Sequence, residues 1–153
     1  MRKSFVGSLA LCVAWAGAAA AAENWVGSWK LNTAKSQLGT NAIRAQTVTF
    51  ESTPNGIKLM SDGIDAQGRP MKSGYTSKFD GTCAAWAGNP VADEACPKRI
   101  DDNSYENVWK KGGKATVTAK IVVSRDGKRM TVTQVGTDPQ GAKVRAVAVY
   151  DRQ

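Results

Sequence analysis

The chain has 153 residues, with 21 basic and 13 acidic side chains, 15 glycines, five tryptophans and no histidine. Its net charge of +8 favours solubility and anionic surroundings, while the missing histidine removes the commonest general base, the commonest zinc ligand and the usual pH switch. This length suits one domain with a modest core.

Arg2 and Lys3 precede an apolar run over 5–22 that ends in Ala20, Ala21 and Ala22 before Glu23, the layout of a secretory signal peptide. The expectation is therefore export to the periplasm or medium, cleavage near Ala22, and one domain over 23–153 that does not span the membrane. Residues 23–108 carry nine basic and ten acidic side chains, whereas 109–153 carry ten and three. The positive excess lies in the last third, where it suits an anionic envelope surface or the solvated face of strands.

Residues 26–31 read as a first strand with Trp29 and Leu31 inward, followed by an Asn32-led turn or one short helical turn. Over 44–52, Val48 and Phe50 share a face, and Thr53-Pro54-Asn55-Gly56 makes a hairpin turn into a strand over 57–65. A turn at 66–68 returns the chain through 71–79, where Met71, Tyr75 and Phe79 have like parity. Residues 80–98 break this rhythm with two prolines, Trp86, Cys83 and Cys96, and read as a long loop or bent segment. An exported domain with one cysteine pair predicts a Cys83 to Cys96 bridge.

Short strands at 99–102 and 105–110 lead to Gly112 and Gly113. Residues 115–123, 129–135 and 143–150 then alternate apolar with polar side chains, separated by turn sequences at 124–128 and 137–141. The first of these turns carries Asp126-Gly127. A tetrapeptide pattern, Asp-x-Gln-Gly, occurs at both 65–68 and 138–141, consistent with one turn solution used twice.

The fold class is all-β. Consecutive hairpins favour a single up-and-down antiparallel β-barrel of about eight strands, which also removes sheet edges. A two-layer β-sandwich is the alternative, with 80–98 as its long return connection. Alternation places Ile64 and Val108 on the inner face together with the candidate ligand set given below.

Catalysis finds no support: serines and threonines have no base to activate them, no glycine loop cradles phosphate, and the acidic residues near Asp62 and Asp101 belong to turns. The reading is a non-enzymatic protein with no cofactor, no metal and no nucleic-acid partner. Binding by concavity remains, with Trp29, Phe50, Leu59, Tyr75, Phe79, Ala119, Ile121, Met130, Ala146 and Ala148 as the candidate ligand-binding set. The alanines of the last strands leave room for a small hydrophobic or amphiphilic ligand. The competing expectation is a filled barrel serving as a structural or protein-interaction domain of the envelope, through its basic face or the Trp86 loop.

Segments 27–36 (GSWKLNTAKS), 46–50 (QTVTF), 98–101 (KRID) and 124–133 (SRDGKRMTVT), followed by Gly136-Thr137-Asp138 and Val149-Tyr150-Asp151, carry a resemblance to a family of small exported bacterial β-barrel proteins without an assigned function. A broader similarity is to the lipocalin and calycin barrels, whose first strand carries Gly-x-Trp. Gly27-Ser28-Trp29 matches that triplet. The resemblance implies barrel closure by Gly27 and Trp29 with an arginine of the last strand, for which Arg145 is the candidate. The sequence departs from the bacterial family at Thr82 to Trp86, where the cysteine pair implies a stiffened loop.

Overall fold

Side-chain alternation builds the sheet. In the computed structural model, which describes residues 23–39 and 43–153, burial alternates along most strands with period two. The leader expected over 1–22 lies outside the described residues. The strands are β1 Gly27–Leu31, β2 Ala45–Thr53, β3 Gly56–Ile64, β4 Pro70–Ser77, β5 Ala84–Ala85, β6 Glu94–Arg99, β7 Ser104–Lys111, β8 Lys114–Val123, β9 Arg129–Thr137 and β10 Lys143–Arg152, with one 3-10 turn at Thr33–Lys35.

All ten strands lie in one antiparallel sheet of order β4-β3-β2-β1-β10-β9-β8-β7-β6-β5. Every neighbour is also a sequence neighbour except β1 and β10, which pair Trp29 with Arg152 and Leu31 with Tyr150. That pairing brings the two ends of the meander together. The remaining gap, between β4 and the β5–β6 hairpin, is bridged at two places. Gly74 and Ala87 exchange backbone bonds of 3.0 and 3.1 Å, and Asp80 pairs with Lys98. The result is a nearly closed barrel with a thin seam beside β4, and a single continuous sheet replaces the sandwich alternative.

Ten strands form where about eight were expected, because residues 80–98 are not a loop throughout. They supply β5 and most of β6, and the strand expected at 99–102 lies instead at Glu94–Arg99, with a bend at 101–103. Pro97 and Cys96 disguise β6, and its place beside the seam is the kind of edge position where a strand tolerates proline. Cys83 and Cys96 form the expected disulfide.

The repeated Asp-x-Gln-Gly turns are the same structure. Asp65 Oδ1 accepts the amides of Gln67 and Arg69 at 2.9 and 2.8 Å, and Asp138 Oδ1 accepts those of Gln140 and Ala142 at the same two distances. An aspartate that bonds its own downstream amides fixes a turn without help from the core.

Outward positions carry Lys114, Thr116, Thr118 and Lys120 on β8 and Lys143 and Arg145 on β10. A lipid-facing barrel needs an apolar band on that face, and this chain has the opposite alternation. Among the described residues no helix is long and apolar enough to cross a membrane. Two positions expected inside are outside: Ile64 is 42% exposed, having parity opposite to Ile57, Leu59 and Ser61, and Val108 pairs beside Cys96 on the outer face of β7.

Candidate functional site

One end of the barrel is plugged. Trp25, Trp29 and Phe79 are buried there with Tyr105. Trp25 stacks near Phe79 at 6.0 Å and meets Tyr105 edge-on at 5.5 Å, while Phe79 meets Tyr105 at 4.8 Å. The Trp29 indole donates to the Trp25 carbonyl at 2.7 Å. Phe79 adopts a left-handed backbone, φ 59°, which turns the chain across the plug between β4 and the seam.

The closing cation is Arg152. Its guanidinium lies 4.2 Å from the centre of the Trp29 ring and donates to the carbonyls of Val26 at 2.8 Å and Gly127 at 2.5 Å, with a third bond to Asn24. Arg145, the expected partner, lies seven residues before Arg152 on the outward parity of β10, where it pairs with Val135 of β9. Inward parity on that strand belongs to Ala146, Ala148, Tyr150 and Arg152, so position along the strand and pleat both exclude Arg145. Gly27 completes the closure: at φ +127°, a Cβ there would stand 2.7 Å from Arg152 Nη1.

Above the plug the barrel is hollow, with a cavity of about 980 Å³, the upper range of small-molecule sites. Phe50, Leu59, Tyr75, Ala119, Ile121, Met130, Ala146 and Ala148 all line it. Trp29 and Phe79, also expected to touch a ligand, belong to the plug and do not. Ala119 of β8 pairs with Gln134 of β9, and Ala148 of β10 with Val132, so apart from Tyr150 the β8–β10 wall is built from small and medium side chains while Phe50 and Tyr75 stand on the β2–β4 side. That asymmetry leaves the space.

The cavity is not uniformly apolar. Tyr105, Asn107 and Trp109 face inward from β7, and Gln46, Ser61 and Gln134 from β2, β3 and β9. None was in the expected set. The β7 trio was legible as parity in 105–109, but Val108 suggested the opposite face, and inward amides have no periodic signal separating them from solvent-facing ones. Tyr150 donates to Gln46 Oε1, and Gln46 Nε2 donates to Ser61 Oγ at 2.6 Å. Asn107 Nδ2 donates to the Tyr75 hydroxyl at 3.3 Å while its Oδ1 accepts the Cys96 amide at 3.0 Å.

Burial pushes the phenols of Tyr75, Tyr105 and Tyr150 above the ordinary tyrosine range, and the proximity of Tyr75 raises Tyr105 further. All three are neutral at physiological pH. The charged residues at the cavity, Asp65, Arg69, Lys72, Asp138, Lys143 and Arg145, lie in the mouth turns or on outward positions near the strand ends.

Trp86 stands where the seam meets the cavity. Its ring contacts Tyr75 of β4 edge-on at 5.2 Å and Trp109 of β7 at 5.2 Å, nearly perpendicular to both. The loop carrying it is held by the disulfide at Cys83 and by the Gly74 to Ala87 bridge. A partly buried Trp86 packed on two aromatic neighbours is a wall residue, although the loop that carries it is largely exposed. Among the described residues, no group of three or more His, Cys, Asp or Glu side chains could hold a metal ion.

No family model and no curated protein matches the chain. Solved structures with a similar arrangement include a redesigned β-barrel, mFAP1, bound to DFHBI, at 13% identity and a TM-score of 0.44 over 84% of this chain and 95% of that one. Another is a de novo designed fluorescence-activating β-barrel, at 15% identity and a TM-score of 0.42 over 87% and 97%. At that level of similarity, neither bears on what this chain binds.

Proposed function

We propose that this is a non-enzymatic, exported, lipocalin-like protein that holds one small hydrophobic or amphiphilic molecule inside its barrel. The observation carrying this reading is the cavity of about 980 Å³ above a plug that closes only one end. A barrel whose role is purely structural is expected to fill its interior with its own side chains, and the retention of alanine at 119, 146 and 148 works against filling. The open end and the apolar walls at Phe50, Leu59, Ile121 and Met130 supply entry and desolvation, which drive apolar binding.

The resemblance to small exported bacterial barrels and the Gly27-Ser28-Trp29 triplet support the same reading, as does the leader sequence for its location in the periplasm or medium. Native mass spectrometry of protein purified from the periplasm should reveal a co-purified small molecule. A panel of lipids and aromatic compounds should raise the melting temperature by mass action. A protein that emerges empty and whose melting temperature no compound raises would leave the structural reading, with the basic outer face as contact surface for an anionic envelope component or protein partner.

A further inference from the structure

The cavity floor selects by hydrogen bonding. Tyr75 and Tyr105 reach inward from β4 and β7 just above the plug, and both line the cavity. The Tyr75 oxygen already receives an N–H of Asn107. That bond uses an oxygen lone pair and leaves the Tyr75 proton, like that of Tyr105, to be donated. Among the described residues, no protein acceptor takes either proton, whereas the third phenol, Tyr150, gives its proton to Gln46. A buried donor left without an acceptor is costly, and here both donors face a cavity able to hold a ligand.

We propose that the Tyr75 and Tyr105 hydroxyls, with Asn107 behind them, form a donor site that takes the carbonyl or other neutral oxygen acceptor of a mainly apolar ligand, entering polar end first. This rests on the ligand-binding reading above. An ionised head at that position would lie among neutral phenols and apolar rings, with the cations described at the cavity, Arg69, Lys72, Lys143 and Arg145, at its mouth, and desolvating such a charge is far costlier than desolvating a carbonyl. The mouth cations lie outside the floor, so the site discriminates against carboxylates despite the protein's net charge of +8.

Three probes of similar shape test this by titration calorimetry: 2-acetonaphthone, a neutral ketone; 2-ethylnaphthalene, apolar; and 2-naphthoate, ionised. The ketone should bind about tenfold more tightly than the hydrocarbon, the affinity worth of one hydrogen bond, and the carboxylate weakest. In the double variant Tyr75→Phe/Tyr105→Phe, the ketone should lose most of its advantage while 2-ethylnaphthalene binds as before. Tightest binding by 2-naphthoate, or no difference between ketone and hydrocarbon in the unaltered protein, overturns the donor site and leaves the carrier reading standing. Binding of none of the three would count against both. Because the ranking is measured first on the unaltered chain, a poorly folding double variant does not remove the test.

Discussion

Arg152 covers the Trp29 ring at 4.2 Å, joining the last strand to the first across the point where the barrel closes. The same guanidinium binds backbone carbonyls from the N-terminal segment and from the β8–β9 turn. Replacing Arg152 by alanine should cost roughly 2–4 kcal/mol through the lost cation to ring contact and the orphaned carbonyls. Arg145→Ala, on the outer face, should stay within about 0.5 kcal/mol of the parent. Urea unfolding of the two variants distinguishes them, and equal losses would place the closure elsewhere.

Gly27 is tied to that contact. A side chain at φ +127° is strained by itself, and its Cβ would press on Arg152 Nη1. Gly27→Ala should therefore destabilise by roughly 1–3 kcal/mol. Combined with Arg152→Ala, the loss should be less than additive, since the clash disappears with the guanidinium, and a double-mutant cycle on thermal unfolding measures this.

The Cys83 to Cys96 bridge closes a loop of sequence separation 13 on the thinnest wall. Its removal by the double alanine variant should cost about 3 kcal/mol. Hydrogen exchange should accelerate first at Ala87 and Gly81, whose amides bridge the seam, ahead of the β8–β9 ladder. Uniform acceleration across all strands would show that the seam is not the weak point.

Between about pH 5 and pH 9 stability should be nearly flat, since the chain has no histidine. Above pH 10 the buried phenols decide the sign: Tyr75, Tyr105 and Tyr150 have folded values raised above the ordinary 10.0. Unfolded tyrosines ionise first, so stability present below pH 10 falls as pH rises beyond it. At the acid end, Asp65 and Asp101 are held low mainly by the backbone amides of Arg69 and Asn103, and Asp80, Asp126 and Asp151 by the side chains of Thr82, Ser124 and Asn32. Their contribution is present above the ordinary 3.8 and is lost only as pH drops below it. Scanning calorimetry across pH checks both limbs, and a midpoint near pH 6 to 7 would contradict the assignment.

Ala148→Phe should fill the cavity from β10. Binding of 2-acetonaphthone should weaken at least about tenfold, while the melting temperature stays level or rises through added burial. Retained binding would locate the site away from the β8–β10 wall.

Local chemistry in the sequence determined the strands with clean alternation, the hairpin at Asn55-Gly56, both Asp-x-Gln-Gly turns and the cysteine pair, because period-two burial and turn bonding act over a few residues. The closure role of Gly27 and Trp29 came from the resemblance of Gly27-Ser28-Trp29 to the lipocalin triplet, not from local periodicity. Only the tertiary structure decided which arginine meets Trp29: β10 carries both Arg145 and Arg152, and the choice depends on the β1–β10 register, fixed by pairing between opposite ends of the domain. It also decided that 80–98 yields strands, since Pro97 hides a strand whose partners are β7 and the seam. The floor of Tyr75, Tyr105 and Asn107 comes from three-dimensional convergence, where inward position on separate strands, and no spacing along the chain, brings the donors together.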